Sequence, residues 1–528
     1  MSEVAMHGHG VRGMSRAALQ ALAGNADPGK FGRMFPTLPA HEADEDDLLE
    51  LAEAMKDAVG PDGRTDPAGD NPNVPAGYTY LGQFVDHDIT LDTTPLEQQK
   101  ADPLATTNFR TPALDLDSLY GDGPGIHPYL YDRAPDTHRV IETFLIGKAS
   151  ASKDKAGKEI RALDNDLPRN QVGHALIFDE RNDENLLVAQ FHLLMLKFHN
   201  KVVKGLKETQ PALKDMALFH EARRIVTWHY QWIVLFDFVE RLTEPGLVRR
   251  IKHEGRRFYR FKSRPYMPAE FAAAVYRLGH SMVRQSYDHN RVFNAGPDAI
   301  ADGTLGLLFN FTGKSGQIVG QLKDAVSRGG GPGPLPDLPS NWVIDWRRFF
   351  DLGTPPEANF RLNHARRLDP FIVPALHTLP GLRPETDKTA ARDFVLPFRN
   401  LKRGLQLGLP SGQDVCRAMG IVPMKPSEIA TGSDGEVAAR HGFHKKTPLW
   451  YYVLKEAEHH HKGERLGPMG STILAETFLG LVHGDQDSFL WQRSNWTPEL
   501  TGQTPGHYTM ADLIRHVDDI NPTADPDG

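Results

Sequence analysis

The stretch Tyr80 to Asp92 reads Tyr-Leu-Gly-Gln-Phe-Val-Asp-His-Asp-Ile-Thr-Leu-Asp and sets Asp86, His87 and Asp88 side by side in a segment otherwise apolar enough to be buried. Buried ionisable groups need partners, because an unpaired charge away from water is costly. On a helix, Gln83 lies one turn before His87 and shares its face, whereas Asp86 and Asp88 point about 100° to either side. One short element can then aim a His and a Gln at one ligand while its two carboxylates reach for different partners. A core histidine held by neighbouring acids is the plainer alternative for His87 taken alone.

Four more places carry residue types of the same kind. In Thr111-Pro-Ala-Leu-Asp-Leu-Asp117 the oxygen-bearing side chains Thr111, Asp115 and Asp117 recur along a loop, and a main-chain carbonyl such as that of Ala113 fills the gap. Alternating oxygens of this sort wrap a hard cation, although a solvated turn has the same composition. Arg181 and Glu184 stand three residues apart before a long apolar run, on one face if a helix has begun there. His280 closes the segment Tyr276-Arg277-Leu278-Gly279-His280, and Asn400 sits in the apolar setting of residues 394 to 418.

The elements that must position these residues are mainly helical. Glu42 to Lys56 has the acidic start and Leu/Ala periodicity of one modest helix, and Asn185 to Asn200 is apolar all round, as a central helix is. Leu218 to Leu242, Pro448 to Glu458 and Gly470 to Val482 read as further helices, and Pro268 suits the first position of another. Lys148 to Lys158 reads as an exposed loop or hairpin, and Ser327 to Ser340 as a Gly/Pro loop. Strand signals are few and short. Although 528 residues suggest about three domains on length alone, the pattern predicts a mainly α fold: a wrapping arm at 1–75, one large helical domain at 76–490 with little β structure, and an extension at 491–528 with a frayed tail.

Composition excludes several functions. A formal charge of −8 with no basic block lacks the footprint of a nucleic-acid binder. No apolar run approaches the roughly 18 residues of a membrane span. The one cysteine, Cys416, leaves no internal disulfide framework and no Cys-ligated cluster. Met1 to Met14 is rich in Gly and His without an apolar core, so a reducing, cytoplasmic setting is the default expectation.

Taken in order, these segments resemble the animal-type haem peroxidases of the peroxidase–cyclooxygenase superfamily, in its bacterial branch, from about Gly32 to Leu490. Gly82-Gln-Phe-Val-Asp-His-Asp88 is similar to the distal haem motif, which implies His87 as distal base with Gln83 beside it. Arg181-Asn-Asp-Glu184 resembles the distal arginine and a haem-linking glutamate. Tyr276-Arg-Leu-Gly-His280 is similar to the proximal segment, which implies His280 as iron ligand with Arg277 on the cofactor. Asn400 matches the asparagine that hydrogen-bonds the proximal imidazole. Asp88, Thr111, Ala113, Asp115 and Asp117 match the calcium loop. The resemblance thus implies haem b, with ester links through Asp86 and Glu184, and Ca2+. Asn185 stands where some mammalian relatives have a methionine, so a sulfonium link is not expected.

Chemistry accounts for these residue types independently. Splitting peroxide needs a base that takes a proton from one oxygen and returns it to the other, and an imidazole near its ordinary pKa of about 6.5 does both. A guanidinium that stays charged stabilises the departing oxygen. An axial imidazole whose other nitrogen is hydrogen-bonded is a better-tuned ligand. The expected activity is reduction of hydrogen peroxide with oxidation of small organic donors or halides. Cyclooxygenases and fatty-acid dioxygenases place a radical-forming tyrosine three residues before the proximal histidine, where this chain has Arg277, so lipid dioxygenation is the alternative. A metal-dependent phosphohydrolase built on His87-Asp88 leaves Arg181 and Asn400 without roles, and a non-enzymatic haem-binding module has no need of the His and Arg pair.

Overall fold

The computed structural model describes residues 31–91, 108, 110–262, 264–310, 337–354, 360–378 and 392–524. The amino-terminal Gly/His-rich segment, residues 327–336 of the expected Gly/Pro loop and the last four residues of the expected frayed tail lie outside them. Within the described residues the fold is mainly α, and strands pair only two at a time in scattered ribbons. One of these ribbons is the hairpin Ser152–Lys153 with Glu159–Ile160, whose first strand and turn lie inside the segment expected to form an exposed loop or hairpin and whose second strand follows it.

The principal helices are α1 (Glu45–Ala54), α2 (Gly77–Ile89), α3 (Leu186–Thr209), α4 (Asp215–Ile233), α5 (Leu247–Glu254), α6 (Leu396–Gln406), α7 (Leu449–His461), α8 (Pro468–Gly484) and α9 (Met510–Val517). One hydrophobic core runs through them, from Phe31 to Val517. Its spine is α3, whose 24 residues span about 36 Å at 1.5 Å per residue and bury nearly every side chain up to Phe198. Helices α2, α4 and α9 pack against this spine. The carboxy-terminal α9 is tied in as well, since Met510 N donates to Asp237 Oδ2 at 2.9 Å.

Helix α2 enters the core through a close approach that only glycine allows. A Cβ on Gly77 would lie 2.3 Å from the Phe350 ring, and the Gly77 N–H donates to Phe349 O at 2.8 Å. The chain leaves α2 at Thr90, which is extended and turns its hydroxyl back onto Asp86 O at 3.0 Å.

Two departures from regular helix shape the site. Helix α4 runs on into a π-helical turn, Val234–Val239, before ending at Leu242. Such widened turns cluster at functional sites, and this one carries Phe238 to a cavity wall. Pro268 is not the first residue of a long helix but an extended cap on the five-residue helix Ala269–Ala273, which gives way to a 3-10 turn over Val275–His280. Three residues per turn make positions i and i+3 eclipse, so Arg277, rather than Tyr276, stands in line with His280.

Candidate active site

Helix α2, the 3-10 turn Val275–His280 and α6 enclose a cavity of about 810 Å3, within the 300–1,000 Å3 or so common for cofactor and ligand sites. Gln83, Asp86 and His87 reach it from α2, Arg181 and Glu184 from the 3-10 turn Glu180–Asp183 and its cap just before α3, Arg277 and His280 from the 3-10 turn Val275–His280, and Asn400 from α6. Asp88 points away from it, as the helical spacing predicts. The 13-residue α2 thus splits its three adjacent ionisable side chains between two sites.

His87 is 5% exposed. Its Nδ1 lies 2.8 Å from Asn182 Oδ1 and its Nε2 lies 3.5 Å from Glu184 Oε1. Asn182, itself fully buried, turns its Nδ2 to His192 Nδ1 at 3.0 Å. Burial drops the His192 pKa to about 3, so the ring is neutral at ordinary pH, and with the amide Nδ2 facing it Nδ1 is the accepting nitrogen. With Nδ2 committed to that acceptor, the Asn182 carbonyl faces His87, and the bond requires the proton of His87 on Nδ1. Nε2 is then the ring nitrogen left to face the cavity and Glu184. Neither Asn182 nor His192 is singled out by the sequence: Asn182 lies between the Arg181 and Glu184 that draw notice, and His192 reads as one more core residue of an apolar helix.

Arg181 is held from two sides. Its Nε and Nη2 grip Asp179 at 3.0 and 2.6 Å, and Nη2 also donates to His87 O at 2.8 Å. Asp179 is 3% exposed and accepts from Arg110 as well. Burial alone would raise its pKa, but the two guanidiniums hold it far below the carboxylate range. Gln83 bridges Glu184, through Nε2 at 2.5 Å, and Asn185, whose Nδ2 donates to Gln83 Oε1 at 3.0 Å. The other end of the Asn185 amide caps α3 by accepting from Val188 N at 3.0 Å.

On the opposite segment, the Asn400 amide lies 2.8 Å from His280 Nδ1, leaving Nε2 as the other ring nitrogen. Burial, with Arg277 and Arg399 adding to it, lowers the His280 pKa to about 3. The imidazole is therefore neutral, the form that ligates a metal. Arg277 Nε donates to Ala272 O at 3.1 Å, which anchors the side chain at the wall. The amide of Gln406 also lines the cavity, and both its Nε2 and Oε1 are buried without a hydrogen-bond partner. Tyr276 OH donates to Gly82 O at 3.0 Å and so joins the 3-10 turn to α2.

The second site gathers Asp88, Asp115 and Asp117, each with an oxygen within 4.8 Å of the others. Asp88 accepts from Ser118 Oγ at 2.9 Å, Leu116 N at 3.2 Å and Tyr230 OH at 3.2 Å. Burial first, then the charge of Asp115, raises its pKa to about 7. Asp117 Oδ1 meets Arg110 Nη1 at 3.2 Å, while Asp117 Oδ2 is buried with no hydrogen bond. Leu116 adopts a left-handed φ of 58°, unusual for a non-glycine residue. Thr111 and Ala113 lie earlier on the same loop, joined by a 2.8 Å bond from Ala113 N to Thr111 O. Three crowded carboxylates with one orphaned oxygen could hold a hard, oxygen-preferring cation.

The animal haem peroxidase family model matches residues 93–302. That span contains Arg181, Glu184 and His280 but neither His87 nor Asn400. Chorion peroxidase of Drosophila melanogaster is 28% identical over 177 residues, which cover 31% of this chain and 22% of that protein. Thyroid peroxidase of Mus musculus is 25% identical over 186 residues, 35% of this chain and 20% of that one. The alignments thus span about a fifth of the length of these relatives. Among solved structures, peroxidase A from Dictyostelium discoideum aligns with a TM-score of 0.55 at 14% identity, covering 93% of this chain and 97% of that one. A fatty acid alpha-dioxygenase from Oryza sativa aligns with a TM-score of 0.56 at 15% identity, covering 96% and 87%. At such identities the likeness is one of fold.

Proposed function

We propose that this chain, whose residues 93–302 match the animal haem peroxidase family model, binds haem b between His87 and His280 and uses it to reduce hydrogen peroxide at the expense of small organic donors or halides. The observation that carries the reading is one cavity holding two imidazoles from distant parts of the chain, each with Nδ1 fixed by an asparagine amide. The cavity suits the cofactor in other ways. Arg277, Arg399, Lys402 and Arg403 on its wall match two propionate carboxylates, and the orphaned amide of Gln406 needs a polar partner inside.

His280 Nε2 would hold the iron, and Asn400 would accept the Nδ1 proton with its amide turned oxygen-first, a rotation that changes no shape. Bound haem supplies the metal that takes up oxidising equivalents from peroxide. The protein supplies proton movement and charge. His87 Nε2 takes the proton from one peroxide oxygen and returns it to the departing one, and Arg181, locked on Asp179, stabilises the negative charge that develops there. Asp86 and Glu184 on the wall are the carboxylates for ester links to the cofactor. Ca2+ on Asp88, Asp115 and Asp117, with Thr111 and the Ala113 carbonyl, would clamp the residue next to the distal base.

Haem-reconstituted protein should show a Soret band that shifts with hydrogen peroxide, together with peroxide-dependent dye oxidation. A colourless protein, or a band indifferent to peroxide, would sink the reading. Fatty-acid dioxygenation is the second reading, supported by the fold shared with the alpha-dioxygenases, with Arg277 standing where those enzymes need a tyrosine counting against it. Oxygen consumption with linoleate or arachidonate, exceeding peroxide-dependent dye oxidation, would favour it.

A further inference from the structure

A second cavity, of about 520 Å3, lies between α5 and α8 and is separate from the haem site in every lining residue. Its rim carries four basic side chains, Lys252, Arg256, Arg260 and His483, and no carboxylate belongs to its lining. Its floor is apolar, built from Ile251, Phe261, Leu479 and Leu490. The wall is made possible by a small residue: a Cβ on Gly480 would lie 2.3 Å from the Tyr259 ring and 2.6 Å from Arg256 Nη1.

The basic groups are held by neutral partners. Arg256 Nη1 donates to Tyr259 O at 3.0 Å, and its guanidinium stacks 4.4 Å from the Phe261 ring centroid. Arg260 Nε donates to Arg257 O at 2.8 Å, and Lys252 Nζ reaches Ser494 O at 3.4 Å. Among the described residues none of the four forms an ion pair. In a chain of net charge −8, acids were available to neutralise them. Burial, and after it the neighbouring positive charges, lowers the pKa of Lys252 and of His483. Only Arg256 feels a nearby carboxylate, that of the buried Glu476 outside the lining, which already accepts three backbone N–H groups. The pocket therefore keeps net positive potential over an apolar floor, and its missing element is an anion with an apolar body.

We propose that this cavity is a binding site for a small amphipathic organic anion, a carboxylate or sulfonate on an aromatic or aliphatic body. The anionic head sits among Lys252, Arg256 and Arg260, and the body lies on Phe261 and Leu479. The inference stands apart from the haem reading, since no residue is shared.

Isothermal titration calorimetry of the full chain with naphthalene-2-sulfonate, and with naphthalene-2-methanol as neutral counterpart, tests it. One site is expected, at least tenfold tighter for the sulfonate and weakened by added salt. The double variant Lys252→Gln/Arg260→Gln changes two exposed residues and should weaken sulfonate binding tenfold or more, leaving peroxide-dependent dye oxidation unchanged. Arg399→Gln, on the haem cavity, should leave sulfonate binding unaltered. Equal affinity for the neutral compound, binding untouched by the double variant, or binding lost in Arg399→Gln would each overturn the proposal.

Discussion

Replacing Asn182 with leucine tests the hydrogen-bond chain behind the distal base. The substitution keeps side-chain size and removes two bonds at once, the 2.8 Å contact to His87 Nδ1 and the 3.0 Å contact to His192 Nδ1. Both imidazoles are buried, His87 at 5% and His192 at 1% exposure, so each loses a partner that water cannot replace. A buried polar group left unsatisfied costs about 1–3 kcal/mol. For His87 that amount is also the preference for carrying a proton on Nδ1, with the ring held in its present orientation. Since about 1.4 kcal/mol is tenfold in rate, the second-order rate constant for peroxide should fall on the order of 10- to 100-fold, read by stopped-flow absorbance of the haem band. His192→Leu acts only through the amide and should cost less. The two changes belong to one chain, so the double variant should be no slower than Asn182→Leu alone, in line with the non-additivity of coupled residues. His192→Gln returns an acceptor for Asn182 Nδ2 and should recover most of the rate. A folded, haem-loaded Asn182→Leu protein within twofold of the parent, or losses that multiply in the double variant, would refute the reasoning.

Three other outcomes are expected. Chelation of divalent ions should lower both the melting temperature and the peroxide rate constant, the latter about tenfold, because Asp88 adjoins His87 and Asp117 reaches Arg181 through Arg110 and Asp179; an unchanged haem spectrum and rate after chelation would count against the calcium clamp. After peroxide treatment, acid–acetone should leave part of the haem on the protein, and Glu184→Gln combined with Asp86→Asn should release it fully; complete extraction from the parent would rule the ester links out. Glu456, 1% exposed, is raised by burial to about 7 although Met469 N and Gly470 N donate to it; between its ordinary pKa near 4.5 and that value the folded state holds a proton the unfolded state has released, so stability falls as pH rises through this window, and melting curves of Glu456→Gln should lose that slope.

What the sequence discloses here follows from which distances it encodes. Along one helix, spacing is direction, so Gln83, His87 and Asp88 could be assigned to their faces from numbers alone, and α2 sends them there. The eclipse of Arg277 with His280 depends on a 3-10 turn in place of an α-helix, and nothing in Tyr276-Arg-Leu-Gly-His280 signals that choice, which comes from packing around residues 269–280. The same limit hides the widened turn at Val234–Val239, where the apolar run reads as continuous helix.

Polar links between distant segments are the least legible, and here they join the two sites. Asn182 meets His87 across 95 positions, and Arg110 meets Asp179 across 69. Neither pair has a periodicity to announce it. Yet Asp179 receives Arg181 from the side of the large cavity and Arg110 from the side of the carboxylate cluster, while the His87-Asp88 peptide joins the same two sites along α2. Two independent routes, one covalent and one ionic, therefore run from the carboxylate cluster to the distal pair. An ion bound there would fix the base and the guanidinium relative to each other, not the base alone. Loss of the ion should then disturb proton transfer and charge stabilisation together, a larger effect than either residue's displacement alone would give.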